Sequence, residues 1–297
     1  MNPRERGFLL LTSHLGDPDR KPLTTAQLRT LWSRVKGMDA PGEDRDLEER
    51  DLAALGYGKE MAQRILGLLS QEDLLDLYLE TGRRKGCVPI TLASEAYPDV
   101  IRRILGMDAT GCLWAKGDPA ILNRPMISLV GSRELRGPNH EFAAAVGREA
   151  ARQGYTLVSG NARGADRTAQ DACLAAGGSV VSVIADELEH KYKQENVLWL
   201  SEDGFCEAFS AQRALSRNRL IHAMGEKTFV AQCSDGTGGT WDGTVKNLRF
   251  GWSPVFCFAD GSKAVERLLD MGAEAVEMEA LSGIGALRGY DRSFLDE

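Results

Sequence analysis

The chain has 297 residues, of which 43% are hydrophobic and 27% charged; at roughly 150 residues per domain this is enough for about two packed domains, and it excludes disorder, collagen-like repeats and coiled coil. Acidic residues outnumber basic ones by 43 to 36, a formal net charge of −7, so any nucleic-acid role must rest on a local basic site and not on a basic surface. The apolar run FLLLT (Phe8–Thr12) is too short for a signal segment and no span approaches 18 apolar residues, which excludes a membrane anchor and points to a cytoplasmic protein.

Up to about residue 95 the pattern is helical: TTAQLRTLWSRVKG (24–37), LEERDLAALGYGKEMAQRILGLL (47–69) and SQEDLLDLYLETGRRKG (70–86). Thr24 or Thr25 is placed to cap the first of these, and Ser70 with Asp73 resembles a capping box ahead of LLDLYL. The glycine-bearing turn in LGYG has two readings: a small helical bundle packing on its neighbour or on another chain, or a turn presenting backbone amides to a DNA phosphate. Residues 1–84 are therefore expected to form a small helical domain.

In the next stretch CVPITL (87–92) and CLWAKGD (112–118) read as short strands flanking SEAYPDVIRRILGMD. After Pro125 strands and helices alternate. MISLV (126–130) precedes a helix from Pro138 to Gln153 that a proline opens; YTLVS (155–159) precedes a helix from about Ala165 to Ala176. SVVSVI (179–184) is followed by KQENVLWL, read as helical, and TFVAQC (228–233) by a helix over about Trp241–Phe250. PVFCF (254–258) then leads to a helix from Ser262 to Met271 and a short strand. Near-continuously apolar strands separated by helices mean a mostly parallel sheet covered on both faces, so an α/β, Rossmann-like, doubly wound domain is expected over 85–280, with its core at 120–260 and a polar tail at 281–297. The six cysteines form no C-x-x-C pair and several lie in apolar runs, which implies buried, reduced thiols and neither disulfides nor zinc.

In such a sheet, ligands bind beyond the carboxyl ends of the strands. Four loops there carry unusual residues. The first holds Gly131, Ser132 and Arg133, a small residue, a hydroxyl and a five-donor fork suited to phosphate. The second, SGNARGAD (159–166), holds Ser159, Gly160 and Arg163 ahead of a helix amino end, which favours anions. Arg217, Asn218 and Arg219 open a helix in the third, and the fourth, DGTGGTWDGT (235–244), holds Gly238, Gly239 and Thr240. Each has a bland alternative: the glycines as tight turns, and Arg217 and Arg219 as solvated helix-end charges or partners of Asp166 or Asp242. Neither G-x-G-x-x-G with a downstream acid nor G-x-x-x-x-G-K-[ST] is present, so NAD binding and ATP hydrolysis are not supported.

GSR, SGNARGAD and SRNRLIHAMG, in this order and spacing, resemble the DNA-processing protein DprA (Smf) family, part of a superfamily with the LOG-type nucleotide phosphoribohydrolases; the resemblance covers about residues 85–260. It implies a cytoplasmic bacterial protein that binds single-stranded DNA without hydrolysis, loads RecA during natural transformation or recombination, and forms a homodimer through the Rossmann-like domain. Gly131, Ser132, Arg133, Gly160, Arg163, Arg217, Asn218 and Arg219 would then surround DNA phosphates. The chain departs from the family pattern at Gln170, where a histidine is usual, at Ser179, where a basic residue is frequent, and at Lys193, where a proline follows KY. TGGTWDGT stands nearer the glycine-threonine turn of the LOG relatives, and nothing after residue 260 resembles a winged-helix domain.

Three functions follow. The first is a single-stranded DNA-binding protein, with the arginines on phosphates and Trp241 available for base stacking, needing no catalytic base, cofactor or metal. The alternative is a nucleotide sensor or an enzyme cleaving an N-glycosidic bond, with Asp242 as the acid and Asp166 as a second acid or ribose ligand. A third is an interaction module with a vestigial pocket, docking through the helical domain. His14, His140, His190 and His222 are scattered without metal spacing, so structural or solvated roles are expected for them.

Overall fold

The computed structural model describes residues 1–36 and 47–289. Its first helix, α1 (Pro3–Thr12), starts where the sequence shows only a short apolar run. Asn2 and Glu5 cap each other reciprocally, at 3.0 and 2.7 Å, ahead of a proline that fits the first turn. In α2 (Thr25–Lys36) Thr24 is the cap, exchanging bonds with Gln27 at 3.3 and 3.0 Å; the expected last residue of that helix, Gly37, lies outside the described residues.

After α3 (Glu49–Ala54) the LGYG turn leads into α4 (Lys59–Leu69), and α5 spans Glu72–Arg84. Ser70 does not start α5. It ends α4 with helical backbone angles, its hydroxyl bonded to the Gly67 carbonyl at 3.1 Å, because only two residues separate the helices. Leu23, Leu31, Leu52, Ile65 and Leu68 give α2–α4 a small core of their own. The helices α1 and α5 instead share a core with the sheet: Tyr78 stacks on Phe205 at 4.6 Å, and Trp114 meets Phe205 edge-on at 4.8 Å.

Among the described residues nine strands form one sheet in the order β1-β2-β6-β5-β4-β3-β7-β8-β9. Their ranges are β1 Val88–Thr91, β2 Cys112–Lys116, β3 Met126–Val130, β4 Thr156–Ser159, β5 Ser179–Val183, β6 Val197–Ser201, β7 Thr228–Val230, β8 Val255–Phe258 and β9 Glu274–Val276. β1 and β2 are antiparallel, β2 and β6 likewise, and every pair from β6 to β9 is parallel. This is the expected α/β, Rossmann-like architecture. Strand order reverses between β3 and β7, which open the two halves of the winding; such a switch point is where doubly wound sheets leave a crevice.

One face carries α7 (Gly137–Arg152) and α8 (Ala165–Ala175), packed on Ile127, Leu129, Leu157, Phe229 and Phe256. The other carries α6 (Asp99–Leu105), α10 (Asn218–Met224), α11 (Gly238–Phe250) and α12 (Lys263–Asp270) over Val130, Val158, Val181 and Leu198. Each fully buried aliphatic side chain of these layers contributes about 1.5–3 kcal/mol.

Two expectations are corrected. VLWL is not helical: it is the body of β6, paired with β5 and β2 and buried on both faces, a short apolar run whose period cannot separate helix from strand. The polar tail does not begin at 281, because Leu281 and Ile284 are buried against α7 in a 3-10 segment, Met278–Ala286; residues 290–297 lie outside the described residues. All six cysteines are free thiols, five of them buried.

Candidate nucleic-acid interface

The loops after β3, β4 and β7 meet at the switch point because their backbones are bonded to one another. Ser132 donates its N–H (2.9 Å) and its hydroxyl (3.2 Å) to the Gln232 carbonyl of the β7 loop, and its own carbonyl accepts the Ala165 N–H of α8 at 3.1 Å. Gln232 completes the joint with its side chain, donating to the Glu134 carbonyl at 3.0 Å and accepting the Arg136 N–H at 2.9 Å. Gly131 lies where these backbones cross: a Cβ there would sit 2.4 Å from the Cβ of Ala165 and 3.3 Å from that of Ala231. Any side chain at 131 would push α8 off the sheet.

The second loop is closed from within. Asp166, in the first turn of α8, is buried and accepts the N–H groups of Gly160 and Ala162, both at 3.2 Å. Burial pushes this carboxyl up from its ordinary range, opposed by the positive charge of Arg217 and by those two amides. Arg217 connects α9 (Ala211–Ser216) to α10 and is only 8% exposed. Its guanidinium donates to the carbonyls of Gly160, at 2.5 Å, and Val183. Burial lowers its pKa against the fields of Asp166, Asp186 and Glu202. A Cβ on Gly160 would lie 2.2 Å from that guanidinium, so the glycine is what lets the arginine tuck beneath the loop. Arg217 and Asp166 therefore form the floor of the site, and neither presents itself to a ligand.

The rim is made of the exposed side chains of Arg133 and Arg163. Arg163 is held at 3.0 Å by Glu134, both groups largely in solvent, a pair of small net worth. Across the switch point α11 begins with Gly238, Gly239 and Thr240, and Thr237 makes no side-chain bond to its first amides. Those N–H groups and the helix dipole form an anion-favouring end. Asn218 fixes this turn, donating from Nδ2 to the Gly239 carbonyl at 3.0 Å. Ser159 ends β4 fully buried.

The structure thus brings Gly131, Ser132, Arg133, Gly160, Arg163, Gly238, Gly239 and Thr240 to one edge, with Arg217 beneath and Asn218 behind. Arg219 is elsewhere. It turns into the cleft between the helical region and the sheet, where it pairs with Glu202 at 2.6 Å and donates to Thr110 at 3.0 Å. Trp241 is buried, with the Arg267 guanidinium 4.9 Å over its ring, and offers no free face for a base. Asp242 is half exposed and bound by Lys246 at 2.8 Å on the same helix.

Two departures from the family pattern acquire structural roles. Gln170 is buried and donates to Ser182 at 3.2 Å. Ser179 starts β5 at the opposite edge of the sheet, where Arg124 binds it at 2.7 Å, so its lack of charge removes nothing from this site. Sequence reasoning passed over Gln232, whose only signal was a polar residue directly after an apolar strand.

Among the described residues no helix is long and apolar enough to cross a membrane, and no His, Cys, Asp and Glu cluster has the makings of a metal site. In sequence, the chain is 29% identical over 167 residues to DNA processing protein DprA of Bacillus subtilis, an alignment covering 52% of this chain and 56% of that one, so it spans little more than half of that relative. In structure, it is similar to DNA processing protein A from Streptococcus pneumoniae, with a TM-score of 0.73 and 22% identity over 98% of this chain and 100% of the other. The fold also matches DNA processing protein A from Helicobacter pylori, solved for its single-stranded DNA binding mode, with a TM-score of 0.56 and 21% identity over 66% of this chain and 94% of the other. Residues 89–282, more than half of the sequence, match the family described as DNA recombination-mediator protein A, and the chain belongs to that family.

Proposed function

We propose that this protein binds single-stranded DNA at the carboxyl edge of its sheet, as a cytoplasmic, homodimeric DNA-processing protein acting in recombination or transformation with RecA as its partner. The observation that carries the reading is the rim: two exposed arginines, Arg133 and Arg163, and the uncapped amino end of α11 face solvent around one switch point. A polyanion is the ligand that uses all three at once. Membership of the DNA recombination-mediator protein A family supports a single strand as the ligand, and the Helicobacter pylori protein of the same fold was solved for its single-stranded DNA binding mode.

Binding without hydrolysis fits the floor. Asp166 is engaged by its own loop, and Asp242 is tied to Lys246 away from the arginines, so neither is poised as an acid beside a sugar.

The test is anisotropy of labelled oligo-dT at two salt concentrations, for the wild type and for Arg133→Ala combined with Arg163→Ala. The expected result is binding that weakens with salt, with a slope reduced by about 0.7 for each phosphate contact removed. A folded wild type that fails to bind at low salt ends the proposal.

A further inference from the structure

Arg219, which the rim does not use, leads into a broad concavity. This cleft of about 1610 Å³ lies between α2 on one side and α10 and α11 on the other, with Thr110 and Glu202 on its floor. It exceeds the roughly 300–1,000 Å³ of small-molecule pockets. Its charge runs against that of the whole chain: seven lysines and arginines line it and three carboxylates, where the protein carries a net −7. Two of those carboxylates are each met by an arginine, Asp108 by Arg29 and Glu202 by Arg219, and the third, Asp203, by Arg213 at 2.8 Å. Lys246 is paired with Asp242 and Arg102 with Asp99, Arg64 donates to the carbonyls of Lys21 and Pro22 at 3.2 and 3.0 Å, and Lys21 lines the cleft with no ion pair among the described residues.

Two aromatic rings stand exposed on its opposite walls, Trp32 of α2 at 51% and Phe250 of α11 at 61%. Phe250 is in turn stacked on Trp252 at 5.7 Å, which holds it in place. An excess of basic over acidic side chains between exposed flat apolar faces matches a polymer carrying both phosphates and bases, because a nucleic-acid single strand stacks its bases on such rings while its backbone follows the charge. An acidic peptide would use the cations and leave the rings without partners.

The cleft is also continuous with the strand-edge site. Asn218 and Gly243 line it, and Asn218 is the residue bonded to the Gly239 carbonyl in the open turn of α11. A strand leaving Gly238–Thr240 therefore reaches the cleft by running along α11, about 20 Å from end to end for its 13 residues.

We infer that this interdomain cleft is a second segment of the single-stranded DNA path, entered from the strand edge and using Trp32 and Phe250 as base-stacking platforms; it rests on the strand-edge reading, whose ligand it shares. The consequence is a site longer than the rim alone can hold.

The experiment compares labelled dT6 and dT20 by anisotropy with the wild type, the pair Trp32→Ala and Phe250→Ala, the pair Lys21→Glu and Arg64→Gln, and Arg133→Ala. The wild type is expected to bind dT20 about tenfold or more tightly than dT6, as one or two stacked bases contribute. Both cleft pairs should remove that advantage and leave dT6 unchanged, whereas Arg133→Ala should weaken both oligomers. If neither cleft pair alters dT20 while Arg133→Ala still does, the cleft is overturned and the strand-edge site stands. Equal weakening of dT6 and dT20 by the cleft pairs overturns a separate segment. A wild type that binds neither oligomer removes both readings.

Discussion

The loops 159–166 and 235–244 look alike on paper, glycine-bearing turns that run into helices at the same sheet edge, yet one is filled and the other open. The difference is an acid in the first turn. Asp166 curls back onto the amides of Gly160 and Ala162, so the anion that this loop favours is already supplied by the chain. In α11 the corresponding residues are Gly238, Gly239 and Thr240, none of which is an anion, and the first amides stay available. A glycine-rich loop entering a helix is therefore only half a signal for phosphate; the other half is whether the helix brings its own carboxylate. The floor should answer to stability measurements and the rim to binding measurements, a division that can be broken.

The largest effect is expected at the floor. Arg217→Ala leaves the Gly160 and Val183 carbonyls without their donor and Asp166 buried without an opposing charge, which should destabilise the fold by about 3–5 kcal/mol in urea unfolding. A folded variant of near-normal stability that had lost DNA binding would move Arg217 from floor to rim.

The next effect separates them by pH. His222, one turn along α10 from Asn218, is buried, with Nδ1 accepting from Asn247 at 3.0 Å, and burial pushes its pKa down to about 3. The unfolded chain binds a proton near the ordinary value of about 6.5 and the folded chain does not, so stability rises with pH across this window and falls on acidification. Between pH 6.5 and 4 the loss should be about 3 kcal/mol from this residue. His222→Gln should be less stable at pH 7 and flatten that part of the curve, measured as the difference between the two unfolding profiles.

At the rim, Arg133→Ala should weaken oligo-dT binding about tenfold, the worth of one charge-assisted hydrogen bond, and leave the unfolding midpoint where it was. Arg163→Ala should do less, since Glu134 already shares its charge. A midpoint shift in either would show that these side chains support the loop and do not face the ligand.

The sheet was legible because its strands are apolar on both faces and each is closed by a glycine or a polar turn; the four loops then fell on one edge by topology alone. What was not legible depended on pairing across the chain. VLWL became β6 because β5 and β2 left a slot for it, information absent from a four-residue run. Arg217 and Arg219 are two residues apart and read alike, but one faces Gly160 and the other Glu202, a carboxylate seventeen residues earlier that no local pattern connects to it. Trp241 was placed at the rim by its neighbours in sequence, whereas helix periodicity turns it inward, into the core under Arg267.

The smallest effect bears on the enzymatic alternative. Asp242 lies one turn into α11, half exposed and paired with Lys246, a surface pair worth about 0.3–0.5 kcal/mol. Asp242→Asn should leave stability nearly unchanged. It also removes a negative charge close to the open amino end of the helix and releases Lys246, so DNA affinity should rise, by about twofold at low salt and less at high salt, where the field is screened. A nucleotide-cleaving acid would behave in the opposite way: its loss would abolish release of free base from a nucleoside monophosphate and leave oligo-dT binding where it was. The sign of the change in affinity therefore decides whether this carboxylate is a bystander to a bound strand or the centre of a different chemistry.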